Sequence, residues 1–200
     1  MRARILTLSA LVLAVATTAR ADVEHSELRP VAARSMTLSA LGQDGKLSGL
    51  HASGWGVNLE LALGKRRWQY FVEGSLSWLE LGPRGAQLDG RQQRGGLGVR
   101  WLARSFELGS VGSFDLNLEA FTGIERFDVA PDVLVRPDLG VGIGWQVRLH
   151  LCRDLAMRTM ARVVFAPTDR DAASAVCRGS CEMPVSRDSS GLMIVSGFQW

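Results

Sequence analysis

Beyond its first two dozen positions the sequence has no long apolar run. Nothing later approaches the roughly 18 consecutive apolar residues of a membrane helix, so any membrane-spanning role would have to be built from strands. Reactive side chains are also scarce. Three histidines and three cysteines in 200 residues leave little material for metal or nucleophilic chemistry. Charge of one sign is missing too. The chain carries 23 Lys+Arg against 20 Asp+Glu, a formal +3. Arg2, Arg4 and Arg20 lie in the leader, and without them the balance is 20 against 20. The basic excess therefore belongs to the leader, and no clustered basic footprint remains for nucleic acid.

The leader itself has the pattern of an export signal. Arg2 and Arg4 precede the run Ile5 to Ala16, and Ala19-Arg20-Ala21 supplies small residues for cleavage. That run is 12 residues, too short to cross a bilayer. The expectation is a cleaved signal over residues 1–21, a periplasmic N-terminal tail over 22–33, and one domain over 34–200.

What the rest of the chain does have is alternation. In "DLGVGIGWQVRLHL" the odd positions from Leu139 to Leu151 are all apolar, while the even ones are Asp138, glycines, Gln146, Arg148 and His150. A period of two over fourteen positions is a strand with one apolar and one polar face. The pattern recurs and predicts eight strands, roughly 34–42, 53–64, 67–81, 94–104, 113–126, 138–151, 155–166 and 190–200. The first is short and polar. Long intervening segments (43–52, 82–93, 127–137, 167–189) alternate with short ones, which predicts an antiparallel meander with both ends at the short-turn side.

Which way the apolar face points decides the environment. A soluble lipocalin-like barrel turns it inward. Three features argue for the inverse. The polar rows carry Glu60, Glu73, Asp115, Glu119 and Glu125 with Arg100, Arg148, Arg158 and Arg162, which a narrow barrel can pair internally. The same rows carry Gly54, Gly56, Gly96, Gly98, Gly140, Gly142 and Gly144, which leave room for long side chains. Trp55, Trp68 and Trp78 sit near strand ends on the apolar rows, where an interfacial girdle is expected. Trp101 and Trp145 lie on the same rows but deeper in their strands.

The chain ends "GLMIVSGFQW", with Leu192, Ile194, Phe198 and Trp200 at alternate positions and Ser196 interrupting. This resembles the terminal strand of bacterial outer-membrane barrels, the part read by the barrel-assembly machinery. In strand number, strand length and loop pattern the chain is similar to small eight-stranded barrels of the OmpA/OmpX type, with no motif that selects a subfamily. The resemblance implies an all-β, eight-stranded antiparallel up-and-down transmembrane barrel in the bacterial outer membrane. It would be a monomer in contact with outer-membrane lipid, free of cofactors and of nucleic acid. Its role would be structural or surface-interacting, through loops that meet an unidentified extracellular partner.

Two further features bear on chemistry. His51-Ala52-Ser53 resembles the surface His/Ser pair of lipid A deacylases, which makes a lipid-modifying enzyme one alternative and a narrow diffusion pore another. Cys177 and Cys181 flank Arg-Gly-Ser in the longest loop, and in an oxidising compartment a disulfide is their expected state. Cys152 lies at the opposite end and cannot reach them. His25 falls in the tail, and His150 is expected as a polar filler of the lumen.

Overall fold

A computed structural model of the chain describes residues 34–47, 50–65, 67–82, 88–129, 132–149, 155–167 and 188–200. The leader, the tail, His25, His150 and all three cysteines lie outside the described residues. The described residues form eight strands. These are β1 (Arg34–Leu47), β2 (Leu50–Lys65), β3 (Trp68–Leu81), β4 (Leu88–Glu107), β5 (Gly112–Val129), β6 (Asp132–Leu149), β7 (Ala156–Pro167) and β8 (Asp188–Gln199). Each pairs antiparallel with its chain neighbours, and β1 pairs with β8 to close a barrel. Closure leaves no unpaired sheet edge.

The faces divide as the alternation requires. Leu59, Leu61, Val141 and Ile143 are about half exposed on the outside, whereas Asn58, Glu60 and Arg162 between such rows are buried. Only a hydrocarbon surround makes that arrangement favourable, because polar atoms fill the interior and apolar ones the surface. Trp68 pairs with Trp101 across β3 and β4 (ring centroids 6.4 Å apart), and Trp55 with Trp78 across β2 and β3 (4.8 Å). Trp101 is therefore level with the first residue of β3. Trp145 pairs with Leu116, four positions from the start of β5, so it too sits toward the end that holds the termini. Depth counted along the chain had misplaced both.

The loop pattern differs from expectation. At the end opposite the termini, β1 runs to Leu47 and β2 starts at Leu50 where a loop over 43–52 was expected. Likewise β4 begins at Leu88, and β5 and β6 extend to Val129 and from Asp132. Only the connection over 168–187 is long, and strict alternation of long and short loops does not hold. The cause is an inversion of chemistry without any change of phase. Toward this end Leu79, Leu81, Phe127 and Ala166 point inward and are buried, while Glu80, Arg91, Arg126 and Asp128 point outward. The strands continue into water with polar residues outside and apolar ones inside. One true phase change does occur: the register between β4 and β5 shifts between Leu102 and Arg104, leaving Ala103 as an extra residue. This bulge returns Ser105 to the inside and sets Phe106 beside Phe114 outside.

The seam between β8 and β1 is finished by a reciprocal pair, Met36 N–H to Trp200 O (2.8 Å) and Trp200 N–H to Met36 O (3.0 Å). Phe198 and Trp200 expose about half their surface beside it. Deleting Phe198 to Trp200 removes these bonds and the apolar end of the row. We expect folded barrel yield to fall sharply, read as loss of the heat-modifiable band on cold gels; unchanged yield would contradict the closing role of this end.

Candidate functional site

The inward rows of six strands converge in the middle of the barrel. Glu60 on β2 stands directly opposite Glu73 on β3. Two carboxylates opposed across a strand pair repel each other, so each must be neutralised from elsewhere. Glu60 accepts from Arg100 Nη1 and Nη2 at 3.0 and 2.8 Å. It also accepts from Arg158 Nη1 and Nη2 at 2.7 and 2.6 Å. One carboxylate thus sits between two guanidinium forks, the geometry that gives charge-assisted bonds their strength.

The other carboxylates extend the network. Glu73 is held by Arg94 and by Arg162 Nη1 at 2.7 Å. Glu119 accepts from Arg162 Nε and from Arg100 Nη2 at 3.1 Å. Asp138 takes Arg94 Nε and Nη2 at 2.5 and 3.1 Å. Glu125 is bound by Arg136 Nε and Nη2 at 3.1 and 3.0 Å. Five arginines (94, 100, 136, 158, 162) face five acids (60, 73, 119, 125, 138), so the interior set is formally neutral.

Aromatic rings fill the space between these groups. Arg100 lies over Phe71 at 4.9 Å, Arg94 and Arg162 over Phe121 at 4.8 and 5.0 Å, and Arg136 over Phe127 at 4.8 Å. Such cation–π contacts strengthen where water is excluded. Two glycines make them possible. A Cβ on Gly98 would lie 2.4 Å from the Phe71 ring, and one on Gly140 would lie 2.3 Å from Phe121. The space these glycines leave is therefore taken by rings, while Gly142 faces Glu119 and Arg162.

Of the lumenal charges expected from sequence, Glu60, Glu73, Arg100, Glu119, Glu125, Arg158 and Arg162 stand in this network. Asp115 bonds Ser105 Oγ at 2.5 Å nearer the termini, and Arg148 is partly buried at that end, paired in register with Ser113. Arg94, Arg136 and Asp138 were missed, although they continue the inward rows of Arg100 and Gly140 by steps of two. Outside the barrel, His51 turns Nε2 to Asp44 Oδ1 at 3.1 Å, both well exposed. Among the described residues no group of three or more His, Cys, Asp or Glu is arranged to hold a metal ion.

Replacing Glu60 with Ala would leave Arg100 and Arg158 short of their shared counter-ion. Breaking a buried pair from one side costs about 3–5 kcal/mol, and we expect a loss of that order in urea unfolding. The outer Arg126–Asp128 pair (3.0 Å, half exposed) supplies the contrast: Asp128→Asn should cost about 0–1 kcal/mol. Equal losses would mean the interior network is not what holds the barrel.

No family model matches the chain, and no curated protein matches it. Solved structures do. Neisserial surface protein A aligns with a TM-score of 0.56 at 10% identity, covering 84% of this chain and 96% of that one. Ail of Yersinia pestis, crystallised with the heparin analogue sucrose octasulfate, aligns at 0.45 with 13% identity, over 84% and 97% of the two chains. The N-terminal β-barrel domain of Pseudomonas aeruginosa OprF aligns at 0.40 with 12% identity, over 83% and 97%. At such identities the likeness is one of fold, and the first alignment carries it: this chain has the fold of the small eight-stranded outer-membrane β-barrels.

Proposed function

We propose that this chain is an integral outer-membrane barrel with a plugged interior, acting as a structural or surface-interaction protein through its extracellular connections. The observation that carries the reading is the pairing of an apolar exterior with a formally neutral set of ten buried charges inside, each held in at least one ion pair. An eight-stranded barrel is just wide enough for side chains to fill. Here the guanidinium groups reach from β4 and β7 to β2 and bridge the bore. Placing the termini in the periplasm puts the connection over 168–187 outside the cell. It is the longest between strands, and loops on a rigid scaffold are where binding concentrates. Its sequence includes Asp169, Arg170, Asp171, Arg178, Glu182 and Arg187, a mixed-charge surface. A Cys177–Cys181 disulfide would close a small ring there.

The plug is tested by conductance. Purified protein in a planar bilayer should give no steady ohmic current, and the cell should carry it in the outer-membrane fraction. Stable single-channel steps from the unaltered protein would replace the plug with a pore. The ring is tested by mass: the exported chain, unreduced, should be two hydrogens lighter than the dithiol form, and two free thiols would remove it.

A further inference from the structure

Above the ion network the barrel opens into a recess toward the end opposite the termini. Its volume is about 450 Å³, including the solvent at its mouth. Leu79, Phe127, Val164, Ala166 and Met193 line it with apolar surface. A polar chain crosses it: Gln43 donates to Gln92 (2.6 Å), and Gln92 donates to Glu125 (3.1 Å). Arg136 then binds the other Glu125 oxygen through Nε and Nη2. Its third nitrogen, Nη1, is buried and has no hydrogen-bond partner among the described residues. The Arg136 side chain is 8% exposed and lines the recess.

A buried guanidinium donor left unpaired is costly, and this one borders an apolar pocket that communicates with the exterior. We propose that the recess is a binding site for a small amphipathic anion, a short aliphatic carboxylate. Its oxygen would accept from Arg136 Nη1 while its chain packs on Phe127, Met193 and Ala166. The sign of the head group follows from the partners. Both Glu125 oxygens are engaged, one by Gln92 and one by Arg136, so a cationic head finds no acceptor of comparable quality there. The rim does not select, since the charged side chains of Asp44 and Lys46 lie on the outward row of β1, Asp44 against His51. Apolar walls around a few placed polar groups are the usual make-up of a small-molecule site.

Hexanoate is a suitable probe because it dissolves in water and partitions weakly into lipid. The full chain, folded in lipid nanodiscs, would be titrated calorimetrically with hexanoate and with hexylamine, empty nanodiscs serving as the blank. Saturable heat is expected with hexanoate and none with hexylamine. Ala166→Phe fills the recess without touching a charge and should weaken hexanoate binding about tenfold or more. Arg136→Gln should do the same. If that variant fails to fold, Ala166→Phe and the hexylamine contrast decide. Heat no greater than the blank, equal binding of the amine, or unchanged binding by a folded Ala166→Phe protein would overturn the proposal. Any of these results would leave the outer-membrane and plug readings untouched, since they rest on fractionation and conductance.

Discussion

The interaction on which the barrel depends is the clasp of Glu60 by Arg100 and Arg158. A carboxylate in a narrow, side-chain-filled interior cannot be left to water, and its desolvation is repaid only by good geometry and saturated hydrogen bonding. Two bidentate forks supply both. Each fork then has consequences. Arg100 also serves Glu119 and Gln69, and Glu119 brings in Arg162, which serves Glu73. Glu73 engages Arg94, and Arg94 engages Asp138. Arg158 and Asp138 end this chain of contacts with one charged partner each, and every charge between them has at least two, so these eight charges form a single neutral unit, beside which Arg136 and Glu125 make a separate pair.

Around that unit the chain meets two solvents. In the belt, Leu, Val, Ile and Trp point outward and charges point inward. Above it the inner row turns to Leu79, Leu81 and Phe127 while Glu80, Arg126 and Asp128 take the outside. The backbone does nothing at the crossing; the pleat keeps its phase and only the side chains change character. The lower part has the polarity of a membrane barrel and the upper part that of a water-soluble one. The recess forms where the two interiors meet, with polar Gln92 and Glu125 at one level and apolar walls around them.

This crossing also explains what could be read from the sequence. The eight strands, their order and the sidedness of the belt follow from a period of two, and residues such as Glu60, Arg100 and Arg162 lie inside runs where that period is unbroken. Strand limits were set where outward hydrophobicity stopped. The alternation in "IERFDV" persists, but with Glu125 and Phe127 inward it no longer has a simple polar or apolar row, so the end of β5 read as loop. Arg136 lies beyond those limits and Arg94 and Asp138 at them, so none of the three counts among the expected lumenal charges, although Asp138 reads on the polar face of its strand. Phe71 and Phe121 fell on the polar rows without a role, because a ring under a guanidinium leaves no mark in a hydropathy pattern. Pairing of charges is a property of the closed barrel, and a one-dimensional pattern cannot say that Glu60 is served by a strand 98 residues away.

The distribution of these charges around the barrel has a further consequence. Among the described residues, inward-facing charges come from β2 through β7. The inner rows of β1 and β8 hold Ser35, Thr37, Ser39, Leu41, Met193, Val195 and Gln199, all neutral. Glu60 on β2 and Arg158 on β7 nevertheless meet across the gap that β1 and β8 occupy. The ion network can therefore join the strands on either side of the seam, while the seam strands bring no charge that must be desolvated as they pair. A one-residue slip of β4 or β7 would turn Arg100 or Arg158 toward lipid, at about 2–4 kcal/mol near the bilayer midplane. The same slip in β1 would turn no buried charge toward lipid, since its inner row is Ser35, Thr37, Ser39, Leu41 and Gln43. Register is thus enforced by charge in the six inner strands, and at the seam by backbone bonding that ends on Met36 and Trp200.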